Sequence, residues 1–407
     1  MMRRRSLILI LSLLSLGCPE SSQSTDEVCP EGNCEAELTP IEPGFHAFPD
    51  APNGIPVSWI TEDGSWKIVV VHENGLSLGE GRGGNKVQWE TLIEWSNSPS
   101  SKIQPFDAME NEDGGIIAVF SRGSELWFYD SKALLQVNGV IDTNAGSAPR
   151  PAMTLDSQGT IHVSYYHEPS GTLKYANLQE NGWNIESVPL PASPCPTEDC
   201  GEIQEYGAYS DIGIQGGSPV VVFYDQGRGN LCFSTRLAET WVGQIMDGEF
   251  TETGANTGDV GKWPSLSVDE KANLSVAYYG VTSSDLRFAY PSNSELQVKK
   301  VDLGQIENPD GVITETSVGP FAQLLQSAGG QPVIFYLDSY TPTIRRAERK
   351  GSVWSLSRLP LDRPGGFHMR GSVGEEGDKL LVFQTWKTGT GEVTPERSLM
   401  AWYEPIP

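Results

Sequence analysis

The chain has no apolar run long enough to cross a bilayer as a helix. Its one sizeable run, Leu7–Leu16, is ten residues, against about 20 for a spanning helix. Positive charge is scarce: 28 Lys and Arg stand against 53 Asp and Glu, for a formal net charge of −25. Such a field repels nucleic acid and anionic lipid surfaces, so nucleic acid is not expected as a partner. No amphipathic stretch of helical period is long enough to support an α/β fold. No glycine-rich loop precedes a helix, because Gly79–Asn85 joins two strand-like runs, and this argues against a phosphate cradle. Asn308–Gly311 lacks the alternating acids of a calcium loop. No cofactor or metal is therefore expected.

What is abundant is turn chemistry, with 44 Gly and 28 Pro. Between the turns lie short runs of β-branched and aromatic residues. The clearest set is Trp263–Tyr290, which reads as the strands Pro264–Val268, Leu274–Tyr279 and Leu286–Tyr290, followed by Leu296–Val301. Runs like Leu274–Tyr279 recur at Lys67–Val71, Ile116–Phe120, Ile161–Tyr166, Val220–Tyr224, Val333–Leu337 and Leu380–Gln384. Their spacing of about 45 to 60 residues is in the range of propeller blades. A turn precedes each run and a third strand follows it. The seventh unit lacks a fourth strand before the chain ends, and Thr39–Phe48 offers a spare one. The expectation is an all-β, seven-bladed propeller of four-stranded antiparallel blades, closed by an N-terminal strand that removes an open sheet edge. A six-bladed ring with one irregular domain, or two packed sandwiches, are the competing arrangements. Expected blades are 55–96, 104–142, 149–190, 208–247, 262–302, 318–361 and 367–407, the last completed by the N-terminal strand.

At the N-terminus, Arg3, Arg4 and Arg5 precede the apolar run, and Ser15, Leu16, Gly17 and Cys18 follow. This resembles a bacterial lipoprotein signal peptide, with Ser15 where the usual pattern has Leu. The resemblance implies cleavage before Cys18, lipidation of that cysteine, and a cell-envelope location, with the outer membrane favoured by Pro19 rather than Asp after the cysteine. The expected organisation is a signal peptide over 1–17, a polar acidic tether over 18–38 and the propeller over 39–407. Of the remaining cysteines, Cys29 and Cys34 share C-x4-C spacing with Cys195 and Cys200. In an oxidising compartment two local disulfides are expected, with a four-cysteine zinc site as the alternative. Cys232, inside a strand-like run, is expected to be a buried free thiol.

The pattern P-x-[LM]-x-[LV]-D, then V-[SA]-Y-Y, then L-[KR]-[YF]-A is legible in Pro151–Ala176 and Pro264–Ala289. It resembles the repeats of exported bacterial propellers of the sialidase or BNR-like superfamily. Intact Asp boxes are missing: Thr154, Asp156 and Gly159 have the wrong spacing, and Thr61, Asp63, Gly64 and Trp66 fall one residue short. The resemblance therefore implies the architecture without the catalytic hallmark.

In a propeller, the turns after the second strands and the connections between blades share one face, where binding residues concentrate. The ends of the recurring runs are His72, Arg122, His167, Asp225, Gly280, Asp338 and Trp386. Their polar and aromatic members, with the loop neighbours Arg150, Arg228 and Trp263, are the ligand-binding candidates. Glu168, Tyr206, Lys262, Tyr340 and Arg363 are further loop neighbours on that face. Carboxylates accept hydroxyl hydrogen bonds, arginines pair with acids and tryptophan stacks on apolar faces. The leading expectation is a monomeric, non-catalytic, membrane-anchored propeller that binds a glycan, peptide or protein partner. A sialidase-like exo-glycosidase is the alternative, for which Asp225, Asp338, Glu168 and Glu205 are candidate carboxylates.

Overall fold

The computed structural model describes residues 42–83, 86–95, 105–133, 138–192, 205–248, 256–292, 295–307, 310, 313–326, 330–387 and 396–405. The signal segment, the tether, Cys18, Cys29, Cys34, Cys195 and Cys200 lie outside these residues.

The chain forms seven four-stranded antiparallel sheets, each meandering from an innermost strand to an outermost one. Blades one to six run over Gly54–Glu94, Asp107–Asp142, Ala152–Ser187, Tyr206–Asp247, Val260–Asp302 and Gln323–Arg358. Blade seven takes three strands from Gly365–Glu404 and its outermost strand, Gly44–Ala47, from the other end of the chain. That strand pairs antiparallel with the last one, Gly44 opposite Tyr403 and Ala47 opposite Met400. The seven-bladed propeller and its N-terminal closure are thus as the repeat implied. The connection from blade five to blade six adds a small hairpin, Gln305–Glu307 with Ile313–Glu315, which lies outside the repeat.

All seven recurring runs are second strands, and their composition follows from their position. Each second strand lies inside a sheet that is covered on both faces by neighbouring blades. Alternate residues therefore enter different cores: Val69 and Val71 pack toward blade two, whereas Ile68 and Val70 pack toward blade seven. A strand buried on both faces reads as a continuous apolar run instead of an alternating one. The seven hydrophobic clusters each span one blade–blade boundary. Turns between first and second strands are fixed by short polar side chains. The N–H groups of Gly115, Thr160 and Asn273 donate to the side chains of Asn111, Asp156 and Asp269, four residues earlier.

Buried polar latches join three pairs of blades. In each, an Asp from the outermost strand of one blade accepts a hydrogen bond from a second-strand Tyr of the next, at 2.6–2.8 Å: Asp142 with Tyr165, Asp247 with Tyr278, Asp302 with Tyr336. The residue beside each Tyr on the third strand is basic, Lys174, Arg287 or Arg345. Arg345 donates to Asp302 at 2.8 Å and to Asp338 at 2.7 Å; Arg287 donates to Asp247 at 2.8 Å and to Asp285 at 2.9 Å. Burial and the adjacent carboxylate push the Tyr336 phenol far up, so it remains a donor.

Removing one member of such a buried charged set leaves the others uncompensated, which costs about 3–5 kcal/mol. Arg345→Met should lower the urea-unfolding free energy by that order, whereas Tyr278→Phe, which removes one neutral donor, should cost about 1 kcal/mol. Equal effects of the two changes would contradict the latch.

Candidate functional site

The propeller's central channel opens into a cavity of about 520 Å³, within the range of about 300–1,000 Å³ typical of ligand pockets. Its wall is built from the leading ends of the innermost strands, one from every blade. Blade one supplies Ile55 and Pro56, blade two Pro105 and Phe106, blade three Arg150 and Pro151, and blade four Tyr209 and Ser210. Blade five supplies Trp263 and Pro264, blade six Phe321 to Gln323, and blade seven His368 to Arg370.

Four of these side chains stand on backbone that L-residues rarely adopt: Arg150 (φ 43°), Trp263 (φ 51°), Phe321 (φ 55°) and His368 (φ 46°). They occupy the same place in four blades. In blades four, five and seven the first strand also slips its register there, between Tyr206 and Ser210, Lys262 and Ser265, and Phe367 and Arg370. A bulge of this kind re-aims a side chain, and a positive φ at a bulky residue costs about 1–3 kcal/mol. Together they take Tyr209, Trp263 and His368 out of the regular ladder at the cavity wall.

Below these residues the strands are stitched across blade boundaries. Asp107 accepts the Met153 N–H at 2.8 Å, Asp211 the Leu266 N–H at 2.7 Å, Ser265 the Leu324 N–H at 3.0 Å and Gln323 the Gly371 N–H at 3.3 Å. Burial raises Asp211 to about 6, against the pull of its backbone hydrogen bonds and of Arg370.

The wall is aromatic and cationic. Trp263 touches Tyr209 and Phe321, each at 5.3 Å between ring centroids, and Phe321 touches His368 at 5.2 Å. The Arg150 guanidinium lies 4.3 Å above the Tyr209 ring, and Lys262 Nζ lies 4.6 Å from the Trp263 ring. Burial, then Arg397, Arg370 and Arg150, lower His368 to about 4, so it is neutral at physiological pH.

The second-strand ends singled out in the sequence do not themselves form the cavity wall. The strand register sets Gly54 opposite His72, Tyr206 opposite Asp225 and Gly365 opposite Thr385. The ends of the second strands therefore lie beside the leading ends of the first strands, but one strand further from the axis. Of the candidates, Arg150 and Trp263 line the cavity. Trp386 stacks on Phe367 at 4.4 Å and 7°, just behind the wall.

The others do not converge on the cavity. His72 bonds Ser77 at 2.9 Å, and Arg122 is exposed beside Trp127. His167 bonds Ser170 at 2.7 Å. Asp338 is buried in ion pairs with Arg345 and Arg358. Asp225 is buried, and its Oδ1 accepts the Arg228 N–H at 3.2 Å. Tyr209, Phe321, His368 and Arg370 were not foreseen. Pro151 and Pro264, already part of the repeat pattern, sit directly after Arg150 and Trp263, so the residue before the repeat proline was the available signal. Cys232 is a buried free thiol, and burial pushes it well up, away from reactivity.

No protein-family model and no curated protein matches the sequence. Among solved structures, the chain is similar to the β-propeller domain of Cps50 (Swd1) from Myceliophteria thermophila. That match has 10% identity and a TM-score of 0.53, and it covers 88% of this chain and 98% of that one. It is also similar to the polysaccharide lyase Uly1, at 10% identity and a TM-score of 0.47, covering 91% and 94% of the two chains. A third similar structure is the α-L-arabinofuranosidase arb93a from Fusarium graminearum, at 13% identity and a TM-score of 0.46, covering 75% and 94%. At these identities the likeness establishes the fold alone.

Asp225 yields a pH prediction. Its Oδ2 is buried without a hydrogen-bond partner, and burial raises the carboxyl to about 6. The folded state thus takes up a proton that the unfolded chain releases near pH 4, so the ionised carboxylate costs stability above about pH 6 and nothing below pH 4. At pH 8 the Asp225→Asn variant should be more stable than the parent by up to about 3 kcal/mol, with the two converging at pH 4. Urea titrations at both pH values check this; a variant less stable at pH 8 would sink the argument.

Proposed function

We propose that the protein is an envelope lipoprotein whose propeller binds a ligand, a glycan, peptide or protein segment, at the central cavity without transforming it. The observation that carries the binding reading is the repeated positive φ at Arg150, Trp263, Phe321 and His368. Strain at one such position is a local accident. Strain at equivalent positions in four blades, with all four side chains on one cavity wall, is a feature that folding alone does not require. Among the described residues the wall includes no Asp or Glu. A glycosidase needs two carboxyl groups flanking the scissile bond, so no observation at the cavity favours the exo-glycosidase reading. Anchoring through Cys18 would hold this cavity at a membrane surface at the end of a polar tether.

Binding is tested by presenting the mature protein to a saccharide and peptide panel and to fluorogenic glycosides. Binding reduced at least tenfold by Trp263→Ala, with no glycoside turnover, is expected; turnover would overturn the non-catalytic reading. The strain argument has its own test in Arg150→Gly and Arg150→Ala. Both lose the side chain, but only Gly accepts φ 43° without cost, so the Gly variant should be more stable by about 1 kcal/mol. For the anchor, radiolabelled palmitate should be incorporated by the wild type and not by Cys18→Ala. Equal labelling of the two would remove the lipoprotein reading.

A further inference from the structure

Basic side chains are the scarce resource of this chain, and the cavity concentrates them. Arg150 and Arg370 line it, Lys262 lies against Tyr209 and Trp263, and Arg397 lies against Trp386 behind the wall. Among the described residues none of the four makes a salt bridge with a carboxylate. Elsewhere the pattern is mixed: Arg236, Arg287, Arg345 and Arg346 each pair with an acid, whereas Arg122 and Arg349 rest on aromatic rings. At the cavity Arg150, Lys262 and Arg397 rest on aromatic faces. Stacking occupies the flat side of a guanidinium and leaves its N–H edge free to donate. The Arg150 Nε–H is buried and has no acceptor.

The acids in electrostatic reach of Arg370 are Asp107 and Asp211, below the wall. Each already accepts two backbone N–H groups. His368, lowered first by burial, is lowered further by Arg397, Arg370 and Arg150, which all act on this space. Like charges gathered without a salt-bridged partner raise the free energy of the empty site, and an anion in the cavity lowers that cost.

Resting on the binding function proposed above, we infer that the ligand of the central cavity is an organic anion. Its oxyanion group is held by Arg150 and Arg370, in the field of Lys262 and Arg397. It is carried on a ring, aromatic or pyranose, whose apolar face lies against Trp263 and Phe321. The aromatic wall supplies a stacking face and the cations supply the charge, so neither a neutral ring nor a bare inorganic anion satisfies both halves. The overall acidic charge of the protein makes this selectivity local. An anion approaches against the general field and is stabilised only inside the cavity.

The test is calorimetric titration of the mature protein with two matched pairs, D-glucuronate against D-glucose and benzoate against benzyl alcohol, at low and high salt. The expected result is that at least one anion binds at least tenfold more tightly than its neutral partner and weakens as salt rises. That preference should fall at least tenfold in Arg150→Gln and measurably in Arg397→Gln. Arg397 is exposed, so its substitution leaves the fold intact; circular dichroism and the unfolding midpoint control for Arg150→Gln. Which of the two anions is preferred separates a sugar acid from an aromatic acid. Neutral partners that bind as tightly as the anions, with binding lost in Trp263→Ala, overturn the charge inference and leave the cavity a ligand site. Binding of none of the four overturns the inference as well, while the saccharide and peptide panel decides independently whether the cavity binds at all.

Discussion

A blade of this protein has no core of its own. Its four strands present two faces, and each face finds its cover only in the next blade around the ring. This constraint explains why the hydrophobic clusters number the same as the blade boundaries and straddle them. It also explains why the ring has to close. An open seventh blade would leave one row of backbone groups without partners and one apolar face in water. Gly44–Ala47 completes that sheet from the opposite end of the chain, so the closing contact joins parts of the chain more than 350 residues apart in numbering, Ala47 and Met400 among them. Cooperativity follows from this arrangement, because removing any blade uncovers two others.

The polar latches are a second layer on the same constraint, and their distribution is uneven. Blades five and six receive a full set of Tyr, Arg and two Asp residues, and blade three a weaker set with Lys174 3.6 Å from Asp142. In blade four the two positions are Phe223 and Cys232, paired in the same register. The latch is thus replaced by apolar packing. Nearby Asp225 and Asn230 retain buried polar atoms without partners. An apolar pair in that place is energetically comparable to a buried ion pair, since desolvation offsets most of the Coulomb gain. The fold therefore tolerates both versions.

How much of this was legible in the sequence follows from the same geometry. Second strands announce themselves because burial on both faces leaves them continuously apolar, as in Val220–Phe223 and Ile116–Phe120. First strands are less legible. Their inner faces line a channel and carry Asp107, Asp211, Gln323 and Arg370, whose types vary because each makes a different contact. The cavity wall was displaced in the reading by one strand for this reason: the residues that end an apolar run stand out, whereas those that lead into a mixed one do not. Arg150 and Trp263 were named as loop neighbours of the second-strand ends, and each also precedes a repeat proline. Tyr209, Phe321 and His368 have no such marker, and their conformation depends on bulges that no local composition encodes. The hairpin at Gln305–Glu315 escaped for a related reason, since it lies outside the repeat and packs no recurring apolar position.

Closing the ring and opening a site are linked at the axis. Seven sheets arranged around a channel bring seven innermost strands together, and regular ladders there would point ordinary small or branched residues inward. A bulge with a positive φ lets a blade present a long side chain at the mouth while the strand below resumes its register and its inter-blade hydrogen bond. Trp263 does this directly above Ser265, and His368 above Arg370. The strained residue and the stitch that holds it are two or three positions apart in one strand. The stability that tolerates the strain is thus supplied by the neighbouring blade, through the N–H group that Ser265 accepts from Leu324 and the apolar boundary behind it. On this account the cavity can vary its side chains blade by blade without altering the propeller. That independence is why the acidic, repetitive body of the molecule carries so little information about the cationic, aromatic mouth at its centre.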